Sequence, residues 1–112
     1  MLSFQRLDVY QRSIEFLALT AEIRGDAPKG NSDLLDQLRR AASSVSLNIA
    51  EAAGRATTAD AARIYAIARG SAMECAAVLD ALAVLKVVEE DRREAGIALL
   101  ERVVAMLTKI GR

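Results

Sequence analysis

The chain of 112 residues contains no histidine or tryptophan, and it has one cysteine and one proline. Without histidine there is no imidazole base, no histidine ligand for zinc and no Ser-His or Cys-His nucleophile pair. The lone Cys75 excludes an intrachain disulfide and a cysteine-rich metal site, and its place on an apolar helix face predicts a small buried side chain. We therefore expect no metal, no cofactor, no small-molecule substrate and no enzymatic activity.

Net charge of either sign is also lacking. The 15 lysines and arginines balance 15 aspartates and glutamates, so the whole chain is not a strongly basic nucleic-acid-binding domain. A local basic patch remains compatible with this balance. No apolar run approaches the about 20 residues of a membrane span, and no basic and apolar leader opens the chain. These absences predict a cytoplasmic protein with no membrane partner.

The scarcity of helix breakers and the apolar periodicity predict four helices in a single domain, residues 1–112. A cap at Asn31, Ser32 or Asp33 starts the second helix, and Thr57 to Asp60 resembles a capping box before the third. Short connections favour neighbouring antiparallel helices, so we predict an all-α, antiparallel up-and-down four-helix bundle. The predicted helices span about Phe4 to Arg24, Asn31 to Gly54, Ala59 to Val87 and Glu89 to Ile110.

The first helix carries apolar residues on two sides. One stripe, centred on Tyr10 and Ile14, is predicted to face the core. Val9, Phe16 and Ile23 recur every seven residues on the other side. Either the core-facing arc is wide, or this second stripe is an interface between subunits, because a continuous apolar stripe needs a surface to cover it. We predict the subunit interface, and hence a homo-oligomer.

Polar residues of the second and third helices have a spacing that places them on common faces. The third helix has a ridge of small residues around Gly70, with Glu74 in it, which predicts close approach of another helix. A carboxylate in such a ridge needs partners, because an unpaired buried charge is costly. We predict a structural network, rather than a catalytic pair of carboxylates, since no nucleophile or metal cluster accompanies them. Its members are Arg39, Arg40, Asn48, Glu51, Arg69, Ser71 and Glu74.

Two segments resemble a known family. They are Asp36-Gln-Leu-Arg-Arg-Ala-Ala-Ser-Ser-Val-Ser-Leu-Asn-Ile-Ala-Glu51 with Gly54-Arg55, and Ala66-Ile-Ala-Arg-Gly-Ser-Ala-Met-Glu74. The pattern is similar to that of the bacterial four-helix bundle proteins, also called 23S rRNA-intervening-sequence proteins. The resemblance covers nearly the whole chain, although Ala52 stands where the family has glycine.

The resemblance implies an up-and-down bundle that assembles into a homopentamer, with no established enzymatic activity. Some members are encoded within insertions of 23S rRNA genes. A related branch, the accessory variability proteins of diversity-generating retroelements, is basic and binds nucleic acid and a reverse transcriptase. RNA or a nucleic-acid-binding protein is therefore the partner that the resemblance implies.

The arginines available for phosphate contacts are Arg55, Arg63, Arg92 and Arg93. Arg39 and Arg40 are expected to be engaged by Glu51 and Glu74. The balancing acidic residues and the few aromatic residues count against RNA binding. Two alternatives stay open: a protein-interaction scaffold that binds no nucleic acid and, more remotely, a small all-helical enzyme.

Overall fold

Four α-helices follow a short 3-10 turn, Ser3–Arg6, in the computed structural model, which describes residues 1–111. The helices form a bundle with extents of 45 × 26 × 22 Å. None of the described helices has the length and apolar character required to cross a bilayer. The helices are α1 (Asp8–Asp26), α2 (Ser32–Ala53), α3 (Thr58–Val84) and α4 (Glu90–Ile110).

Contacts between neighbouring helices establish their directions. Arg24, near the end of α1, forms an ion pair with Asp36 near the start of α2. Arg93, near the start of α4, binds Asp80 near the end of α3 at 2.9 Å. Arg102 in the second half of α4 lies 3.4 Å from Asp8 at the start of α1. The predicted antiparallel up-and-down four-helix bundle is therefore confirmed.

The residues that end the helices explain their bounds. Thr57 caps α3, with its hydroxyl oxygen accepting from the backbone N–H of Asp60 at 3.1 Å. The first helix passes its predicted end at Arg24 and ends at Asp26, because Ala27 is extended before Pro28. The third ends at Val84, earlier than predicted.

Lys86 ends α3 in the left-handed conformation, with φ of 61°. Its N–H donates to the carbonyl of Ala83 at 3.0 Å, and the N–H of Val87 donates to that of Leu82 at 2.9 Å. These two bonds define a Schellman motif, in which the left-handed residue is usually glycine. The apolar pair Leu82 and Val87 is buried beneath the turn, which directs the chain into α4.

The centre of the buried face of α1 is displaced from the predicted stripe, of which Tyr10 is half-buried against the core. Val9, Phe16 and Ile23 are at most 2% exposed, so our prediction of these three as an outward oligomer interface is wrong. Ile14, predicted to face the core, is 39% exposed.

Two hydroxyl residues account for this difference. Ser13 and Thr20 share the buried face of α1, and they donate to the carbonyls of Tyr10 and Leu17, both at 2.6 Å. Ser13 also accepts from the buried hydroxyl of Ser46 on α2 at 2.9 Å. Because their hydroxyls are hydrogen-bonded, these small residues are accommodated at the contact between α1 and α2. They make the buried face look polar in the sequence.

Candidate interaction surfaces

The predicted polar network does not form as one buried cluster. Glu51 and Glu74 are exposed rather than enclosed in a ridge. Glu51 forms an ion pair with Arg55, one turn further along the chain. Glu74 accepts a hydrogen bond from Nε2 of Gln37 at 3.3 Å. The prediction that Arg39 or Arg40 neutralises these carboxylates is wrong.

Other predicted members of the network make short polar contacts within α2 or between helices. Ser44 and Ser71 join α2 to α3 with a hydroxyl–hydroxyl distance of 2.8 Å. Nδ2 of Asn48 donates to the Ser44 carbonyl at 2.8 Å and to its hydroxyl at 3.0 Å. Separately, Nε of Arg69 donates to the hydroxyl of Thr108 at 2.8 Å, which joins α3 to α4. These bonds fix the relative heights of three helices.

Arg39 and Arg40 have no ion pair or side-chain hydrogen bond among the described residues, and both are exposed. They line a shallow groove of about 610 Å³ on the outer side of α2. Leu47 lies in the same groove and is 70% exposed. We call Arg39, Arg40, Ser43 and Leu47 the α2 surface. It combines free positive charge with an apolar side chain.

The four arginines predicted to contact phosphates are all engaged by carboxylates. Arg93 donates to Asp80 and Glu90, both at 2.9 Å, and these hydrogen bonds and charges raise the pKa of its guanidinium. The remaining pairs are Arg55 with Glu51 and Asp60, Arg63 with Asp60, and Arg92 with Asp26. A phosphate would have to compete with these carboxylates. This competition disfavours the predicted patch as a nucleic-acid site.

A second groove lies between the outer sides of α3 and α4. It encloses about 290 Å³ and is mainly apolar, with one carboxylate. Met73 on its α3 side is 46% exposed, and Glu101 on its α4 side has no ion pair among the described residues. We call it the α3–α4 groove. Its principal residues are Met73, Ala76, Ile97, Leu100, Glu101 and Val104.

The two mid-helix glycines have different surroundings. A Cβ atom placed on Gly70 would meet nothing within 4 Å, so the prediction that another helix of the protomer approaches Gly70 closely is wrong. A Cβ atom on Gly96 would lie 2.8 Å from Cδ1 of Leu79 and 3.3 Å from Cε1 of Phe16. The glycine required for close packing is therefore Gly96, which sequence reasoning missed. The position of Gly96 on the apolar side of α4 was the sequence feature that could have predicted this close packing.

The acidic side chains and the Cys75 thiol are the groups to consider for metal binding and catalysis. No group of three or more histidine, cysteine, aspartate or glutamate side chains could hold a metal ion within residues 1–111. The Cys75 thiol is fully buried, and this burial raises its pKa to about 12. Since the thiolate is the nucleophilic form, this side chain packs as a small apolar group.

A further cavity of about 390 Å³ lies at the end of the bundle where the α1–α2 and α3–α4 connections meet. Lys86 and Arg92 line it together with Asp26, Glu89 and Asp91. The charges are of both signs, and Arg92 already binds Asp26 at 2.6 Å. Because the cavity is lined by charges of both signs, it favours neither an anionic nor a cationic ligand.

The fold and these surfaces define an all-α, up-and-down four-helix bundle with exposed grooves. The model of the 23S rRNA-intervening sequence protein family matches residues 5–109, and the chain belongs to that family. A search of curated proteins gives no match.

A solved structure shares the fold. It is a protein of unknown function from the S23 ribosomal protein family of Bacteroides thetaiotaomicron, with 21% sequence identity. The similarity has a TM-score of 0.85 and covers 93% of this chain and 98% of that chain.

Proposed function

We propose that the protein is a cytoplasmic, non-enzymatic helical scaffold that assembles with copies of itself. The observation that carries this proposal is the apolar surface of α3, with Met73 in the α3–α4 groove and the mid-helix Gly70 exposed on the same helix. Exposed apolar area is unfavourable in water, and contiguous patches mark interaction surfaces. The homopentamer implied by the family resemblance is the assembly that we propose.

Native mass spectrometry and light scattering test this proposal at micromolar concentration. We expect the wild-type chain to be an oligomer and Met73→Lys to dissociate, because an ammonium group in the apolar groove would lose its hydration on assembly. Ile14→Lys is the matched control, since Ile14 is similarly exposed on α1. A wild-type chain that is monomeric under these conditions contradicts the proposal.

A second candidate function is RNA binding through Arg39 and Arg40. One observation favours it: both guanidinium groups lack a carboxylate partner among residues 1–111. The four arginines predicted from the sequence to contact phosphates are all paired with carboxylates. Free arginines on a repeated surface would contact phosphates at several positions. The assembled ring would bring these contacts together although the chain has no net charge.

Gel-shift titrations with RNA across a series of salt concentrations test the second candidate. Arg39→Ala with Arg40→Ala is expected to abolish the shift, whereas Arg63→Ala is expected to preserve it, because Arg63 is already paired with Asp60. The affinity of the wild-type protein should fall as salt rises, since phosphate contacts release counterions. Absence of a shift at low salt rejects RNA binding and leaves self-assembly unaffected.

A further inference from the structure

We infer that copies of this chain contact one another head to tail, with the α2 surface of one copy on the α3–α4 groove of the next and Arg40 paired with Glu101. This inference rests on the proposed self-assembly and names its interface. The two surfaces are both exposed and partly apolar, and they carry opposite unpaired charges. In the order of the bundle, α2 lies diagonally across from α4, so one protomer presents both surfaces at once.

The heights of the two charges along the bundle support the pairing. On α2, Arg40 lies midway between Gln37 and Ser44, which contact Glu74 and Ser71 of α3. Arg40 is therefore level with the middle of α3.

Glu101 lies at the same height. It is midway along α4 between Arg93 and Thr108, which contact Asp80 and Arg69 of α3. The midpoint between those two α3 residues is again close to Glu74. The two unpaired charges are thus level, to within about one helical turn of about 5.4 Å.

The equal heights of Arg40 and Glu101 are compatible with a closed ring of copies. A head-to-tail interface closes into a ring by rotation about one axis, and rotation without translation brings together groups at the same height. In an up-and-down bundle α2 and α4 run in the same direction, so a ring with its axis along the bundle keeps them parallel. Arg40 of one copy then faces Glu101 of the next. The exposed Met73 lies at this level and would pack on the arginine side-chain stem.

The parallel direction follows from rotation about an axis along the bundle. In this direction the unpaired Arg40 and Glu101 have opposite charges at one height, which favours their contact. The free arginines and the free carboxylate are therefore explained by a second copy of this chain.

Charge reversal tests the interface. Arg40→Glu and Glu101→Arg should each weaken assembly by at least about tenfold, because each places like charges opposite one another. The double variant Arg40→Glu with Glu101→Arg should assemble again. Arg6→Glu and Glu22→Arg are matched controls, since both residues are exposed, and they should assemble like the wild type. Circular dichroism verifies that every variant is helical.

The outcomes separate this inference from the proposed function. A monomeric wild-type chain overturns both. A wild-type oligomer that both single variants leave intact overturns the interface alone, as does a double variant that stays dissociated. If Arg40→Glu abolishes an RNA shift without changing assembly, Arg40 serves phosphate contacts and the inference is wrong.

Cysteine cross-linking gives an independent measurement. In a Cys75→Ala chain, Arg40→Cys with Glu101→Cys should form a ladder of covalent oligomers with a bis-maleimide cross-linker, because an Arg–Glu pair holds its Cα atoms farther apart than a direct disulfide allows. The control pair Arg40→Cys with Glu22→Cys should remain mostly monomeric. Monomeric bands for the first pair, from a chain that is an oligomer in solution, contradict the proposed contact.

Discussion

At the scale of single residues, the two mid-helix glycines should respond oppositely to alanine. Gly96→Ala forces a methyl group against Leu79 and Phe16, so we expect a loss of about 1–3 kcal/mol in the free energy of unfolding. Gly70→Ala meets open space and should stabilise the protomer by about 0.5–1 kcal/mol through helix propensity. Urea unfolding at one protein concentration measures both. Equal effects would contradict the packing assigned to Gly96.

The left-handed Lys86 predicts a stabilising substitution. An L-residue in this conformation costs about 1–2 kcal/mol, and glycine avoids that steric cost. Lys86→Gly should therefore raise the free energy of unfolding by about 1 kcal/mol, while Lys86→Ala, which keeps the Cβ atom, should not. Thermal unfolding of the three proteins distinguishes them. A stabilising Lys86→Ala would show that the lysine charge, rather than the backbone, sets the cost.

The Cys75 thiol predicts a dependence of stability on alkaline pH. Its pKa is raised from an ordinary value of 9.0 to about 12 by burial and by the nearby charge of Glu74. Between these values the unfolded chain releases the thiol proton and the folded chain keeps it, so stability should fall as pH rises. The slope should be about 1.4 kcal/mol per pH unit relative to Cys75→Ala. Rapid labelling of the folded protein by a thiol reagent at pH 8 would contradict this burial.

At the scale of the element, the face of α1 is decided by residues that periodicity treats as polar. Helix ends follow local chemistry, so Thr57, Gly54 and Glu89 mark observed boundaries that the sequence predicts. The face of α1 depends on how Ser13 fits against Ser46 of another helix. The ion pairs of the candidate sites likewise depend on neighbouring helices, as when Arg93 reaches Asp80. The sequence pattern of a single helix cannot predict such contacts between helices.

The displaced buried face of α1 gives a direct test. Phe16→Ala removes a ring that is 1% exposed, and we expect it to cost about 3–5 kcal/mol in unfolding free energy. Ile14→Ala, on the outer face, should cost less than about 1 kcal/mol. Urea titrations of both variants with the oligomeric state held constant provide the comparison. A larger loss for Ile14→Ala would restore the face predicted from periodicity.

At the scale of the whole molecule, assembly and stability should be coupled. Ligands that bind only the folded state stabilise it, and for a self-assembling protein the ligand is another folded copy. The melting temperature of the wild-type chain should therefore rise by several degrees between about 1 and about 100 µM. Met73→Lys should melt at a temperature independent of concentration, because it leaves the protomer core unchanged while blocking the groove. Differential scanning calorimetry on both chains makes the comparison, and a wild-type melting temperature that does not change with concentration would contradict the coupling.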